Sequence, residues 1–180
     1  MSARGRKTGE QAAPRKAAVR RRRVPRRRPL KVISGGQTGV DRAALDAAVA
    51  CGLDIGGWCP AGRRAEDGRI GPKYPLHETP STHYAERTRW NVRDSDATLI
   101  LSNRPLTGGT ALTARIAAQS GAPILVLDVR EHTLEAAAEL IHEWVDSIGI
   151  QVLNVAGPRE STQPGVYDWS SQVLKLALAE

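Results

Sequence analysis

The sequence predicts an α/β fold, a single domain built on a doubly wound sheet of about five mainly parallel strands. Short apolar runs rich in β-branched residues alternate with segments of helical periodicity, as in chains of βαβ units. Several of these runs enter a glycine-containing turn and continue directly as a helix, which is typical of parallel sheets that bind ligands. The predicted domain covers residues 31–180, a suitable length for one domain.

Residues 1–30 form an arginine-rich tail that we predict to be disordered. Residues 1–31 hold 13 of the 26 lysines and arginines and a single acid, so the rest of the chain carries 13 bases and 18 acids. Such a tail cannot bury enough apolar surface to offset its ordering entropy. It either binds nucleic acid or an anionic surface, or it has no role. With no apolar segment of membrane-spanning length, we expect a cytoplasmic protein and no membrane partner.

The first strand leads into a glycine turn, residues 34–39, and a helix follows from Asp41 to Cys51. Glycine permits positive φ and close backbone approach, and the first amides of the helix favour an anion. Alone, the turn predicts either an anion site or a tight βα turn that needs glycine only for its shape. Asp41 is either a residue favoured by the helix dipole or an acceptor for a ligand's NH or OH groups.

A short second strand, residues 53–55, is followed by a glycine-rich loop over residues 56–68. Long loops without secondary structure in compact domains are usually functional. Arg63 offers a guanidinium fork to phosphate, and Trp58 offers a stacking face for a flat ring. The loop therefore predicts part of a ligand pocket. The two cysteines, at positions 51 and 59, match no metal-ligand spacing, so no metal site is predicted.

The middle of the chain predicts a helix, a strand and a second glycine turn. Thr79 and the proline after it predict the start of a helix that runs to Arg93. The acids at 94 and 96 precede a strand at 97–101, where turn or cap roles outweigh acid–base chemistry. The strand leads through Thr107-Gly108-Gly109-Thr110 into another helix. Two helix N-termini then lie at the carboxyl ends of parallel strands, where open α/β sheets bind ligands.

The last third predicts two more strands and two more helices. Residues 122–129 are apolar apart from Asp128, as expected of a central strand covered on both faces. Thr133 is predicted to cap an amphipathic helix that ends at Ile148, and residues 165–178 form the last helix. The strand at 151–155 ends in a polar turn, from which three side chains are predicted to reach the same crevice: Asn154, Arg159 and Ser161.

Several enzyme classes are disfavoured by what the turns lack. No Gly-Lys-Ser/Thr occurs, which argues against a P-loop nucleotidase. The first turn lacks the G-x-G-x-x-G spacing, and no acid ends the second strand to hold a ribose, which argues against a nicotinamide dehydrogenase. No nucleophile elbow, Ser-His-Asp set or metal cluster can be assembled. The sequence thus offers many hydrogen-bond donors for an anion and no assignable catalytic residue.

Six motifs follow one another along the chain: ISGGQTGVDR (33–42), GGWCP (56–60), GR (62–63), NVRDSDAT (91–98), TGGT (107–110) and NVAGPRES (154–161). In this order they resemble the molybdenum cofactor carrier-like family of the SLOG superfamily, which is Rossmann-like. The resemblance spans about residues 30–178 and omits the arginine-rich tail.

The resemblance implies a non-catalytic, homo-oligomeric protein that binds the molybdenum cofactor, a pterin with a phosphate and a dithiolene-held oxomolybdenum group. The phosphate and the metal group would each meet a glycine turn or an arginine. We therefore predict a set of ligand-contacting residues along these turns: Ser34, Gly35, Gly36, Gln37, Thr38, Gly39, Asp41, Arg63, Thr107, Gly108, Gly109, Thr110, Asn154, Arg159 and Ser161.

Two alternatives remain beside this hypothesis. Related members of the superfamily sense nucleotide-derived ligands or release a base from nucleoside monophosphates, the latter through a glycine-rich motif followed by a glutamate. Here residues 110–115 after Gly109 contain no acid, which argues against hydrolysis. The third possibility is single-stranded nucleic-acid binding through the basic tail, which would be steeply salt-dependent.

Overall fold

The computed structural model describes residues 31–179, so the prediction made for the basic tail lies outside the described residues. The strands in chain order are β1 (Lys31–Ile33), β2 (Asp54–Gly56), β3 (Trp58–Cys59), β4 (Arg64–Ala65), β5 (Gly68–Arg69), β6 (His77–Glu78), β7 (Ala97–Ser102), β8 (Ile124–Asp128) and β9 (Val152–Ala156). The helices are α1 (Val40–Ala50), α2 (Tyr84–Arg93), α3 (Gly108–Ser120), α4 (Leu134–Ile148) and α5 (Val166–Leu178).

Five of these strands form one parallel sheet in the order β2-β1-β9-β7-β8. Helix α5 packs against α1 and α4, and α2 packs against α3. Right-handed crossovers place these two groups of helices on opposite faces of the sheet. The predicted Rossmann-like α/β fold is therefore confirmed. The chain leaves β1 toward one edge and β7 toward the other, so a crevice opens around the carboxyl end of β9 between them.

The main core lies between the sheet and the helices of the α1 side. All six residues of β7 are buried. In α1, alanines 43, 44, 47 and 48 are fully buried, which lets that helix lie close to the sheet and to α5. The chain has no phenylalanine, and aliphatic side chains fill the space instead, Leu99, Leu101, Ile141, Leu153 and Leu174 among them.

Two sequence predictions about these elements were wrong. Residues 122–129 were expected to contain a central strand, but β8 lies at the edge of the sheet, and Ile124 to Val126 are only partly buried. An apolar run indicates that both faces of a strand are covered by other elements, and helices can cover an edge strand in the same way. The run therefore does not distinguish a central strand from an edge strand. Helix α2 begins at Tyr84 rather than at residue 79, because the Thr79 amide donates to the carbonyl of Cys59 and its hydroxyl to Ser81.

The cap predicted at Thr133 and the turn role predicted for Asp96 are confirmed. The hydroxyl of Thr133 accepts a hydrogen bond from the Ala136 amide at 3.2 Å and so caps α4. The Asp96 carboxylate accepts from the amides of residues 151 and 152 at 2.9 and 2.8 Å, which fixes the start of β9 beside the start of β7. Across residues 31–179 no helix combines the length and apolar character needed to cross a membrane.

Candidate functional site

A cleft of about 450 Å³ lies at the carboxyl ends of β7 and β9, where the strand order reverses. It is bounded by the β1–α1 turn, helix α2, the β7–α3 connection, the first turns of α3, and the segment that follows β9. Its volume falls in the range of small-molecule sites. Seven of the residues predicted to contact a ligand line this cleft: Gln37, Asp41, Thr107, Gly108, Gly109, Thr110 and Arg159.

On the α1 side, Asp41 and Arg87 form a buried ion pair. The carboxylate of Asp41 is 2% exposed and accepts hydrogen bonds from Arg87 Nη1 at 3.1 Å and from the Gln37 amide at 3.3 Å. Burial raises the pKa of Asp41, while the nearby guanidinium of Arg87 acts in the opposite direction. A Cβ at position 35 would overlap the Arg87 guanidinium, so a larger residue there would displace Arg87 from its contact with Asp41.

The side chain of Gln37 has one end bound and one end free. It is 4% exposed, and its Oε1 accepts hydrogen bonds from the Thr38 amide at 3.1 Å and the Glu66 amide at 2.8 Å. Because both partners are N–H donors, the orientation of the amide group is fixed. Its Nε2 has no hydrogen-bond partner among the described residues.

Two further residues that line the cleft also have a buried polar atom without a hydrogen-bond partner among the described residues. Neither Arg87 Nε nor Asn103 Oδ1 has a partner within residues 31–179. Buried polar groups are almost always hydrogen-bonded, so each orphan requires an explanation. All three residues line the same cleft, so a ligand or water bound there is the available source of partners for these atoms.

On the α3 side, a helix N-terminus and a cation face the cleft. Helix α3 starts at Gly108, and the side chain of Thr107 does not cap it, so the positive end of the helix dipole is open to an anion. The guanidinium of Arg159 lies 5.0 Å from the centre of the Tyr84 ring. Among the described residues no carboxylate forms an ion pair with Arg159. Since Asp41 is paired with Arg87, the cleft carries an excess positive charge.

Arg63 was predicted to be a phosphate countercharge, and the structure places it away from the cleft. Its guanidinium donates to four backbone carbonyls, at distances between 2.8 and 3.1 Å, all in the segment after β5: Ile70, Gly71, Tyr74 and Leu76. Four of the five N–H donors of Arg63 are therefore directed at the loop itself.

Ser34 and Asn154 were also predicted to contact the ligand, but both are turned into the protein. The hydroxyl of Ser34 donates to the Val155 carbonyl at 2.6 Å, and Asn154 Nδ2 donates to Thr98 Oγ1 at 3.2 Å. Both side chains are buried and join neighbouring strands of the sheet. They position the crevice without lining it.

The remaining predicted residues hold loops together beside the cleft. The hydroxyls of Thr38 and Ser161 both donate to the Glu66 carboxylate, which ties the β4–β5 hairpin to the β1–α1 turn and to the segment after β9. Gly36 has positive φ and packs under Leu76, while a Cβ at Gly39 would overlap the carbonyl oxygen of Pro158. At these two positions the shape of the turn is the reason for glycine.

The loop after β2 is ordered differently from the prediction: it contains the two short strands of the β4–β5 hairpin, and Trp58 does not line the cleft. The Trp58 indole donates to Asp94 at 2.7 Å and meets the Trp90 ring edge-on. Cys59 is buried in β3, and burial raises the pKa of its thiol. Within the described part of the chain, no group of three metal-ligating side chains lies together.

Sequence reasoning missed several residues of the cleft, Arg87, Asn103 and Gln163 among them. Arg87 shares a face of α2 with Tyr84 and Thr88, at i+3 and i+4 spacing, and that spacing was the available signal. Asn103 follows β7 directly, at the strand end where ligands bind. Gln163 holds it, because its Oε1 accepts from the Asn103 amide at 2.9 Å. Nothing in the local sequence pointed to Gln163.

Comparisons with known proteins agree with this architecture. A model of the circularly permutated YpsA SLOG family matches residues 32–178. The crystal structure of a "putative molybdenum carrier protein" from Syntrophus aciditrophicus SB superposes with a TM-score of 0.81 at 49% sequence identity, covering 83% of this chain and 95% of that chain. No curated protein matches.

Proposed function

The chain belongs to the circularly permutated YpsA SLOG family, and we propose that its cleft binds a phosphate-bearing ligand as a carrier or store. The molybdenum cofactor is the first candidate, since a structural relative at 49% identity is named a molybdenum carrier. The proposed role is binding without turnover.

The observation that carries the proposal is the set of unsatisfied polar atoms around the cleft. Gln37 Nε2, Arg87 Nε and Asn103 Oδ1 are buried and unpartnered within residues 31–179. A buried polar atom without a partner costs about 1–3 kcal/mol. A ligand that supplies acceptors and a donor to these atoms removes that cost. Such a ligand is polar on more than one side, as a phosphorylated heterocycle is.

The charge distribution supports an anionic group at the α3 end. The open N-terminus of α3 and the Arg159 guanidinium both line the cleft. A helix N-terminus with glycines in its first turn binds phosphate through backbone amides, and an arginine adds a charge-assisted bond. The phosphate of the molybdenum cofactor is suited to this end, and its pterin to the polar wall formed by Gln37 and Asn103.

The proposal is tested by calorimetric titration of the full chain with the molybdenum cofactor under anaerobic conditions. Arg159→Ala removes the cleft arginine that forms no ion-pair contact within residues 31–179, and we expect affinity to fall roughly 10- to 100-fold, the range for a charge-assisted hydrogen bond. Arg115→Ala is the matched control, because Arg115 is an exposed arginine of α3 that does not line the cleft. Its affinity should stay within about twofold of the wild type. Equal losses in the two variants would contradict the proposed phosphate site.

A further inference from the structure

Gln37 lines the cleft, and the one polar atom of its side chain that has no partner among the described residues is a donor. Both hydrogen bonds at its Oε1 come from backbone amides, one in its own turn and one in the β4–β5 hairpin. Rotating the amide by 180° would direct Nε2 at these two N–H groups, so the observed orientation is the stable one. The free Nε2 therefore demands an acceptor atom from whatever fills the space beside it.

The surroundings of Gln37 disfavour an anion as that acceptor. Asp41 lies one turn further along, with its carboxylate 3.3 Å from the Gln37 amide nitrogen. Arg87 balances this charge within the ion pair, so the α1 side is close to neutral. The positive groups without an ion-pair contact among the described residues, Arg159 and the α3 N-terminus, lie at the other end of the cleft. An acceptor next to Gln37 is thus best supplied by a neutral ring.

We propose that Gln37 is a specificity-determining residue, whose Nε2 donates to the ring carbonyl of a 2-amino-oxopyrimidine, the ring shared by pterins and guanine. An exocyclic amino group at the same ring position, as in adenine, would place a donor against this donor. The cleft would then prefer an oxo ring to an amino ring. This inference depends on the proposed function, since it assigns the ring end of the same phosphate-bearing ligand.

The experiment compares GMP with AMP, which carry the same phosphate and differ in the ring. Calorimetric titration of the wild-type full chain at pH 8.5 should give GMP an affinity about tenfold or more above that of AMP. Gln37→Glu keeps an acceptor oxygen for the amides of Thr38 and Glu66 and replaces the Nε2 donor with a second acceptor. We expect this variant to fold and to lose most of the GMP preference.

Gln163→Glu is the matched control. Gln163 also lines the cleft, and its Oε1 also accepts from a backbone amide, so the control adds the same charge and keeps the same kind of contact. It should weaken both nucleotides and retain the ratio of their affinities. A circular dichroism melt of each variant establishes that the comparison is made between folded proteins.

Each outcome decides a different point. A wild-type chain that binds AMP as tightly as GMP, or that binds the molybdenum cofactor but not GMP, overturns the inference and leaves the phosphate-site proposal standing. A GMP preference that persists in Gln37→Glu, or disappears equally in Gln163→Glu, also overturns it. If the wild type binds neither nucleotide nor the cofactor, the proposed function itself fails and the inference fails with it.

Discussion

Replacing Arg63 by alanine should reduce stability and leave ligand affinity intact. Its guanidinium donates to four carbonyls at 2.8–3.1 Å, and a hydrogen bond to a charged donor contributes about 1.5–3 kcal/mol. The side chain is half-buried, so water replaces some of these bonds. A net loss equivalent to two of them gives roughly 3–6 kcal/mol, a large share of the about 5–15 kcal/mol that stabilises a typical domain.

The backbone at Arg63 provides an internal control. Its φ of +53° lies in the left-handed region, which costs a residue with a Cβ about 1–2 kcal/mol. Arg63→Gly removes the guanidinium and also relieves this strain, so it should be about 1 kcal/mol more stable than Arg63→Ala. The difference isolates the conformational cost from the loss of the hydrogen bonds.

Urea unfolding and thermal melts of the three proteins measure these changes, and titration with the molybdenum cofactor well below the melting temperature measures affinity. We expect a fall in Tm of roughly 6–24 °C for Arg63→Ala and an affinity within about threefold of the wild type, because the residue does not line the cleft. A variant that unfolds like the wild type but no longer binds the ligand would refute this reasoning and return Arg63 to the site.

Two other substitutions test the packing of the turns and the loops. In thermal unfolding, Gly39→Ala should lower stability by roughly 3 kcal/mol or more, because φ at Gly39 is +73° and a Cβ would overlap the Pro158 carbonyl oxygen. Gly109→Ala is the control and should be nearly neutral, because nothing lies within 4 Å of a Cβ at that position. Equal losses of stability in the two variants would contradict the packing described for Gly39. The Arg130 guanidinium holds the pKa of Asp128 well below its usual range, so Asp128 adds stability above about pH 4 that is lost as the pH falls below that value. The stability deficit of Asp128→Asn should therefore be larger at pH 7 than at pH 3 in urea unfolding, and the same deficit at both would count against the ion pair.

The fold was largely predictable because it depends on local patterns. Alternating apolar runs and amphipathic segments gave the five main strands, the five helices and the glycine turns. Strand order was not predictable, because it is set by contacts distant in sequence, such as the pairing of β1 with β9. The misplacement of β8 at the centre of the sheet has the same origin, since an apolar run reports cover on its faces and not its place in the sheet.

The parts of the candidate site that are formed by backbone turns were predictable. The turn at residues 107–110 lines the cleft as expected, since a helix start after a strand can be read from the sequence. Side-chain direction could not be read in this way. Arg63 and Arg159 look alike as isolated arginines in loops, yet one donates to four carbonyls and the other lines the cleft. The role of Arg87 depends on its contact with Asp41, 46 residues away in the chain.

The measurement that tests the central claim most directly is the thermal midpoint of the full chain with the molybdenum cofactor, set against the same concentration of AMP. A ligand at a hundred times its dissociation constant adds about 2.7 kcal/mol, which for a domain of this size raises Tm by roughly 5–10 °C. The proposed carrier role predicts this shift with the cofactor and a smaller one with AMP. No shift with the cofactor, or a larger one with AMP, would contradict it.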